Sequence, residues 1–401
     1  MMAPGFTNRF TGGNNHAEQG LSRRSFLTGA AATGALAAFG LAGCAPQAKA
    51  ETSGDATKAD AAETKADASA EPDWLGSAPD IAAGDIKETK QTDLLIIGAG
   101  NSGMAAAATA ADLGIDFMLC EKSGSIQRSR HWFGAINTKY TEAAGAHVDE
   151  GRLLNEFSRY ASGQCDQRVI RVWIKESASA VDWIDPILTQ AGMTCAFDND
   201  IDHETGGTSF ELFPMEHYYS GNDAAGEKLE RNKVLLSYIN DKGHDVTYNH
   251  KLIKLVQDDA GKVTGAICQN KDGDYVQYNA PKGVVLATGD VSYNDEYLDE
   301  FAPIAKKVMT RLCSDQGNVG DGHNMAAWAG GAFQDGPWPT MMHPQAAATF
   351  HGPFMFVNPA GKRFMNEATW VQGKCVGVMV NGGSDHAWSV FDANWQTDLL
   401  D

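Results

Sequence analysis

Gly98-Ala99-Gly100-Asn101-Ser102-Gly103, with Glu121 18 residues beyond the last glycine, is the part of this chain best equipped for chemistry. That chemistry is capture of a dinucleotide. Gly98 allows a tight turn, Gly100 lets backbone approach a pyrophosphate, and Gly103 lets the next helix pack closely on the preceding strand. A helix opening near Ser102 offers free N–H groups and the positive end of its dipole to phosphate oxygens. Glu121 can accept hydrogen bonds from ribose hydroxyls. These roles require a strand before the glycines, a helix after them and a second strand ending at the acid. Asp93-Leu94-Leu95-Ile96-Ile97 is an almost purely apolar run, as expected of a strand buried on both faces of a parallel sheet. Met104 to Leu113 is Ala-rich and free of Pro, and Ile115 to Leu119 reads as the second strand. A bare glycine motif is weak evidence of function, whereas this order of elements around it is specific.

Further along, residues 151–193 read as helices, and Glu227 to Asn240 is helix-compatible. Val246-Thr247-Tyr248-Asn249 opens a β-rich stretch continuing through Leu252 to Val256, Val263 to Cys268 and Tyr275 to Tyr278. It ends in Gly283-Val284-Val285-Leu286-Ala287-Thr288-Gly289. Gly320-Asp321-Gly322 then precedes a short helix, Asn324 to Ala329. Asp321 is placed to cap that helix or to face the cofactor.

The residues after Glu121 choose between dinucleotides. Lys122 follows the acid, and Gln127-Arg128-Ser129-Arg130 leads into Gly134-Ala135-Ile136-Asn137. With the blocks at 283–289 and 320–332, this resembles the FAD-dependent oxidoreductase family of fumarate reductase and succinate dehydrogenase flavoproteins. The resemblance implies FAD held by Gly98, Gly100, Ser102, Gly103, Glu121, Lys122, Ser129, Arg130, Gly134, Ala135, the backbone at Leu252, and Asp321. Ala135 stands where the family has a second glycine, and Asp290 where it has another. Arg128 occupies the position at which some members link FAD through a histidine, so non-covalent FAD is expected, with His131 a polar neighbour of the flavin. The implied fold class is α/β: a Rossmann-like FAD-binding domain, with a parallel sheet plus β-meander over residues 91–337, and the start of an α+β capping domain over 338–401.

In that last stretch, His343-Pro344 resembles the family's substrate-binding histidine motif, making His343 the candidate catalytic residue. Val357 to Glu367 resembles a second family block. The resemblance puts a proton-donating Arg four residues beyond Glu367, where this chain has Val371. It puts a second relay Arg where Phe350 stands. Neither side chain carries protons, so fumarate is disfavoured as substrate. The rest of the family's capping domain and closing FAD segment is expected beyond Asp401, making the chain a C-terminally truncated version or a fragment.

The chain has 401 residues with 51 acidic and 32 basic side chains, a net charge of −19. Such a surface repels nucleic acid and anionic lipid. None of the seven cysteines lies in a C-x-x-C pair, which excludes c-type haem and clustered iron–sulfur or zinc ligation. Electrons must then come from a separate donor, such as a cytochrome or membrane redox protein, as in anaerobic respiration. Ser22-Arg23-Arg24-Ser25-Phe26-Leu27 resembles a twin-arginine export signal, and Leu41-Ala42-Gly43-Cys44 a lipoprotein cleavage box. Residues 1–44 are read as signal peptide and 45–90 as a disordered linker, with Thr-Lys-Ala-Asp-Ala at 57–61 and again at 64–68. The protein is expected outside the cytoplasmic membrane, touching it only through an N-terminal anchor. Three activities fit this reading. The first is reduction of an activated C=C bond in a small unsaturated acceptor other than fumarate; the second is the reverse chemistry of a ketosteroid-type dehydrogenase. The third is a truncated lipoprotein that binds FAD weakly and has no activity.

Overall fold

The computed structural model describes residues 73–198, 209–308, 311, 317–342, 354–369 and 371–394. The export motif, Cys44, both pentapeptide repeats, His343 and Phe350 lie outside them. In chain order the strands are β1 (Ile86–Gln91), β2 (Leu94–Ile97), β3 (Phe117–Glu121), β4 (Trp132–Gly134), β5 (Thr194–Asp198), β6 (Glu216–Ser220) and β7 (Val246–Tyr248). They continue as β8 (Lys251–Gln257), β9 (Val263–Gln269), β10 (Tyr275–Asn279), β11 (Gly283–Leu286), β12 (Met355–Val357) and β13 (Trp388–Val390). The helices are α1 (Asn101–Asp112), α2 (Lys139–Ala143), α3 (Glu150–Tyr160), α4 (Gln167–Gln190), α5 (Arg231–Asp241), α6 (Asp295–Phe301), α7 (Asp321–Trp328) and α8 (Val371–Val380). No helix among the described residues is long and apolar enough to cross a membrane.

β2 lies inside a sheet of order β11-β2-β3-β7 in which every pairing is parallel. Its alternate side chains feed two cores. Ile96 joins Met104, Ala107, Ala108, Leu188 and Ile239 beneath α1, α4 and α5, while Leu95 and Ile97 meet Leu252, Ala266, Val276 and Met325 on the other side. Burial on both faces is why the strand carries no polar alternation. The second core is roofed by a sheet of order β1-β10-β9-β8, whose last three strands form the antiparallel meander. A three-stranded sheet, β4-β6-β5, and the antiparallel β12–β13 pair complete the described strands.

The expected linker does not run to residue 90. Leu75 is buried, and Trp74 packs against Tyr297 and Phe301 with ring centroids 4.7 and 6.0 Å apart. Ile86–Gln91 adds to the meander edge, parallel to β10. The physical reason is that an edge strand gains backbone hydrogen bonds without burying most of its side chains. Glu88 and Lys87 are exposed, so composition alone marks this stretch as linker.

Beneath β6 a charged network ties α2 to α4. Asp185, 7% exposed, accepts hydrogen bonds from Lys139 Nζ at 2.6 Å, from Tyr219 Oη at 2.8 Å and from Tyr140 Oη. Burial alone would raise the carboxyl's pKa, but these donors outweigh it and hold it below the ordinary value. A folded pKa below the unfolded value of about 3.9 gives stability that is full above that pH and lost as pH falls through the folded value. Asp185→Asn should therefore lower stability by about 2–3 kcal/mol at neutral pH. Part of the acid-side slope should disappear too. Urea melts of both proteins at pH 7 and pH 3.5 check this, and equal losses at both pH values would contradict it.

Candidate functional site

A cavity of about 200 Å³ opens where the C-terminal ends of β2, β3 and β11 meet the N-terminus of α1. Its walls include Gly98, Gly100, Ser102, Glu121, Lys122, Leu252 and Asp321, seven residues expected at the cofactor, together with Gln127, His250, Thr288 and Asn318. This is the crevice outside the carboxyl ends of a parallel sheet, where open α/β folds bind ligands.

The three motif glycines have three different reasons. Gly98 has φ +101°, and a Cβ there would lie 2.2 Å from the carbonyl oxygen of Ala287, the first residue past β11. A Cβ on Gly103 would lie 1.7 Å from the Gly98 carbonyl oxygen, so α1 can approach the turn only without a side chain at that point. Gly100 differs: its φ is −85°, and a Cβ there would meet nothing within 4 Å. Its need for glycine comes from what must lie against it, not from the protein.

Glu121 is 4% exposed, and both its oxygens are anchored. Oε2 accepts from the Ala99 N–H at 2.8 Å and Oε1 from the Ser123 N–H at 2.9 Å. A carboxylate oxygen has a second lone pair, so the group can fasten the glycine turn and still accept from a ribose hydroxyl. Lys122 Nζ donates to Asp321 Oδ2 at 2.7 Å and to the Gly317 carbonyl. Asp321 does not cap α7. The cap is Gly320, in left-handed backbone at φ 83°, and Asp321 is the first helical residue. Released from capping, its carboxylate pairs with Lys122 across the cleft and lies 3.9 Å from Lys251 Nζ.

Gly103, beneath the turn, and Ser129, Arg130, Gly134 and Ala135 are the other five expected cofactor residues, and they are not among those lining this cavity. Ser129 donates through its N–H to Glu230 at 2.6 Å, and also through its hydroxyl. The Arg130 carbonyl accepts from Arg231 Nη2 at 2.8 Å. Gly134 ends β4, its carbonyl accepting from Trp173 Nε1 at 3.1 Å, while buried Ala135 donates from its N–H to Met215 at 2.9 Å. Sequence reading missed Gln127, His250, Thr288 and Asn318. His250 sits between β7 and Leu252, already singled out, so its place was within reach. Asn318 belongs to no motif.

In the later block, Glu367 is 2% exposed and ties β12 to the turn that follows it. It accepts from Arg363 Nη2 at 2.6 Å and from the Phe356 N–H at 2.9 Å. One turn into α8, Lys374 is 3% exposed, and burial lowers its ammonium's pKa despite the nearby Glu367 charge.

The cleft fits FAD on its own geometry: an open glycine position at a helix N-terminus suits a pyrophosphate, and an anchored, buried carboxylate with lone pairs to spare suits a ribose. Residues 93–393 match the FAD binding domain family. A probable fumarate reductase of Shewanella frigidimarina is 26% identical over 78% of this chain and 52% of its own length. The digoxin reductase of Eggerthella lenta is 28% identical over 70% of this chain and 47% of its own. The chain thus spans about half the length of these curated relatives. The open form of a flavocytochrome c3 fumarate reductase superposes with a TM-score of 0.58 at 23% identity, covering 79% of this chain and 55% of that one, which shows a shared fold. With its glycine cradle, ribose carboxylate and parallel sheet in place, the chain belongs to the FAD binding domain family, among the flavoproteins of the fumarate reductase and succinate dehydrogenase type.

Proposed function

We propose that this chain is the FAD-binding part of an exported reductase acting on an activated C=C bond in an acceptor other than fumarate. FAD, when bound, supplies the hydride chemistry. The chain's own residues hold the pyrophosphate at Gly100 and α1, anchor the ribose at Glu121, and keep Lys122 and Asp321 paired beside them. His343, outside the described residues, is proposed to hydrogen-bond the acceptor. The observation that carries the choice of acceptor is Val371 at the position where the family resemblance expects a proton-donating Arg. The match to a reductase named for digoxin supports an acceptor other than fumarate. We further propose that FAD is non-covalent, given Arg128 at the linking position, and that a cytochrome or membrane redox protein delivers the electrons. Anaerobic incubation with reduced viologen and unsaturated acceptors tests the direction, and accumulation of the saturated product is expected. Turnover only with an oxidising dye and a saturated compound would assign a dehydrogenase instead.

Export is proposed to use Arg23-Arg24. Changing both to Lys should leave essentially all the protein in the cytoplasm, measured by fractionation and immunoblot. Unchanged export of the double variant would exclude the twin-arginine route.

A further inference from the structure

His217 is fully buried on β6 and belongs to no motif read from the sequence. Its ring lies among Phe133, Phe197 and Tyr140, with centroids 5.5, 5.1 and 6.3 Å away. Burial pushes its pKa below the ordinary value, so the ring is neutral at physiological pH. Both ring nitrogens are engaged, and their partners settle which one carries the proton. Nδ1 lies 2.9 Å from the Met215 carbonyl, an acceptor only, so Nδ1 holds the hydrogen and donates it. Nε2, 2.9 Å from Thr138 Oγ1, is then the acceptor, and the Thr138 hydroxyl donates to it. That hydroxyl oxygen in turn accepts the Thr141 N–H at 3.2 Å, capping α2.

The two partners of the ring bracket one turn. The Met215 carbonyl also accepts the Ala135 N–H at 2.9 Å, and Thr138 closes the turn three residues later. Between them, the Ile136 N–H donates to Ser177 Oγ at 3.3 Å. Asn137 has φ 51°, a left-handed backbone that persists where its surroundings over-determine it. Its side chain grips Val148 in both senses, accepting the N–H at 2.9 Å and donating to the carbonyl at 3.0 Å. One side of the turn is thus committed to the protein. The other side opens at Gly134, the exposed end of β4, where a Cβ would meet Trp173 at 3.5 Å and Met215 at 3.8 Å, both ordinary contacts. A strand glycine that its own protein does not require marks a place where a ligand comes close. The chain reaches it seven residues after Gln127, which lines the cofactor cavity.

We propose that His217 is a positioning residue for FAD: its Nδ1–H fixes the Met215 carbonyl, and through it the Gly134–Ala135 backbone against which the flavin lies. The inference rests on FAD meeting that backbone and makes no use of the acceptor's identity. Asn puts an amide nitrogen at the place of Nδ1, whereas Gln puts an amide oxygen at the place of Nε2. The test compares His217→Asn with His217→Gln by fluorescence titration of the flavin-free protein with FAD, visible circular dichroism of the bound flavin, and thermal midpoint. His217→Asn should keep FAD affinity within about threefold and the parental flavin spectrum. His217→Gln, which keeps only the bond to Thr138, should weaken FAD about tenfold and alter the flavin band, at a midpoint close to that of His217→Asn. A merely structural histidine would move affinity only in step with the midpoint. Equal affinities and spectra for the two variants, or the greater loss in His217→Asn, would overturn the proposal. So would nitrogen NMR of the histidine-labelled parent in which no neutral buried ring is protonated at Nδ1. Gly134→Ala, which the fold accepts, tests the premise separately and should weaken FAD at least about tenfold. Parental affinity there would take the flavin away from this turn and the positioning role with it. A weakened Gly134→Ala beside indistinguishable His217 variants would leave the flavin at the turn and remove His217 from its positioning.

Discussion

Gly100→Val is expected to fold like the parent protein and to purify without flavin. A Cβ at Gly100 meets nothing within 4 Å and φ is −85°, so the protein itself accommodates the valine. The branched side chain instead fills the space in which pyrophosphate must touch backbone. Losing two charge-assisted hydrogen bonds, each about 1.5–3 kcal/mol, weakens FAD by on the order of 10²-fold or more. Gly103→Ala is the contrasting variant. Helix propensity would favour Ala over Gly by about 1 kcal/mol, but its Cβ lands 1.7 Å from the Gly98 carbonyl oxygen. Overpacking against backbone costs about 3 kcal/mol, so the clash wins and Gly103→Ala should lose fold and flavin together. Visible absorbance per protein and the thermal midpoint separate the two outcomes. Acid precipitation of the parent should also leave all its FAD in the supernatant, as non-covalent attachment requires. A yellow Gly100→Val protein, or a yellow acid pellet from the parent, would contradict the assignment.

Fumarate should reoxidise the reduced flavin at least about 10²-fold more slowly than a good aryl-substituted or ring-enone acceptor. Positioned proton transfer contributes roughly 10²–10⁴-fold to such reactions. At the two positions where the family resemblance places arginine, this chain has Val371 and Phe350, and neither carries a proton. The measurement is anaerobic stopped-flow reoxidation, using a protein that includes whatever follows residue 401 in the natural gene product. His343→Ala in the same protein should slow the good acceptor while leaving flavin content intact. Fumarate matching the best acceptor would refute the argument from Val371, and loss of FAD in His343→Ala would move His343 to the cofactor.

The amino-acid sequence determined by itself everything that depends on near neighbours. The β2–turn–α1–β3 unit was legible because a strand buried on both faces must be continuously apolar, and a phosphate-binding turn must be rich in glycine. The meander strands were legible for a similar reason, each a short β-branched or aromatic run bounded by turn residues. Tertiary structure decided what joins distant positions. Lys122 and Asp321 are 199 residues apart, and only the return of β11 beside β2 brings α7 to the cleft where they pair. That pairing, not helix capping, is the observed use of Asp321. The same holds for Ile86–Gln91, whose mostly exposed side chains hide a strand that exists because β10 offers it an edge. Ser129, Arg130, Gly134 and Ala135 were chosen with the glycines on resemblance. Their actual neighbours, Glu230, Arg231, Trp173 and Met215, were set by packing of α4, α5 and the β4–β6–β5 sheet. Periodicity and turn chemistry are local, whereas which side chains face one another across a cleft depends on how the elements close over it.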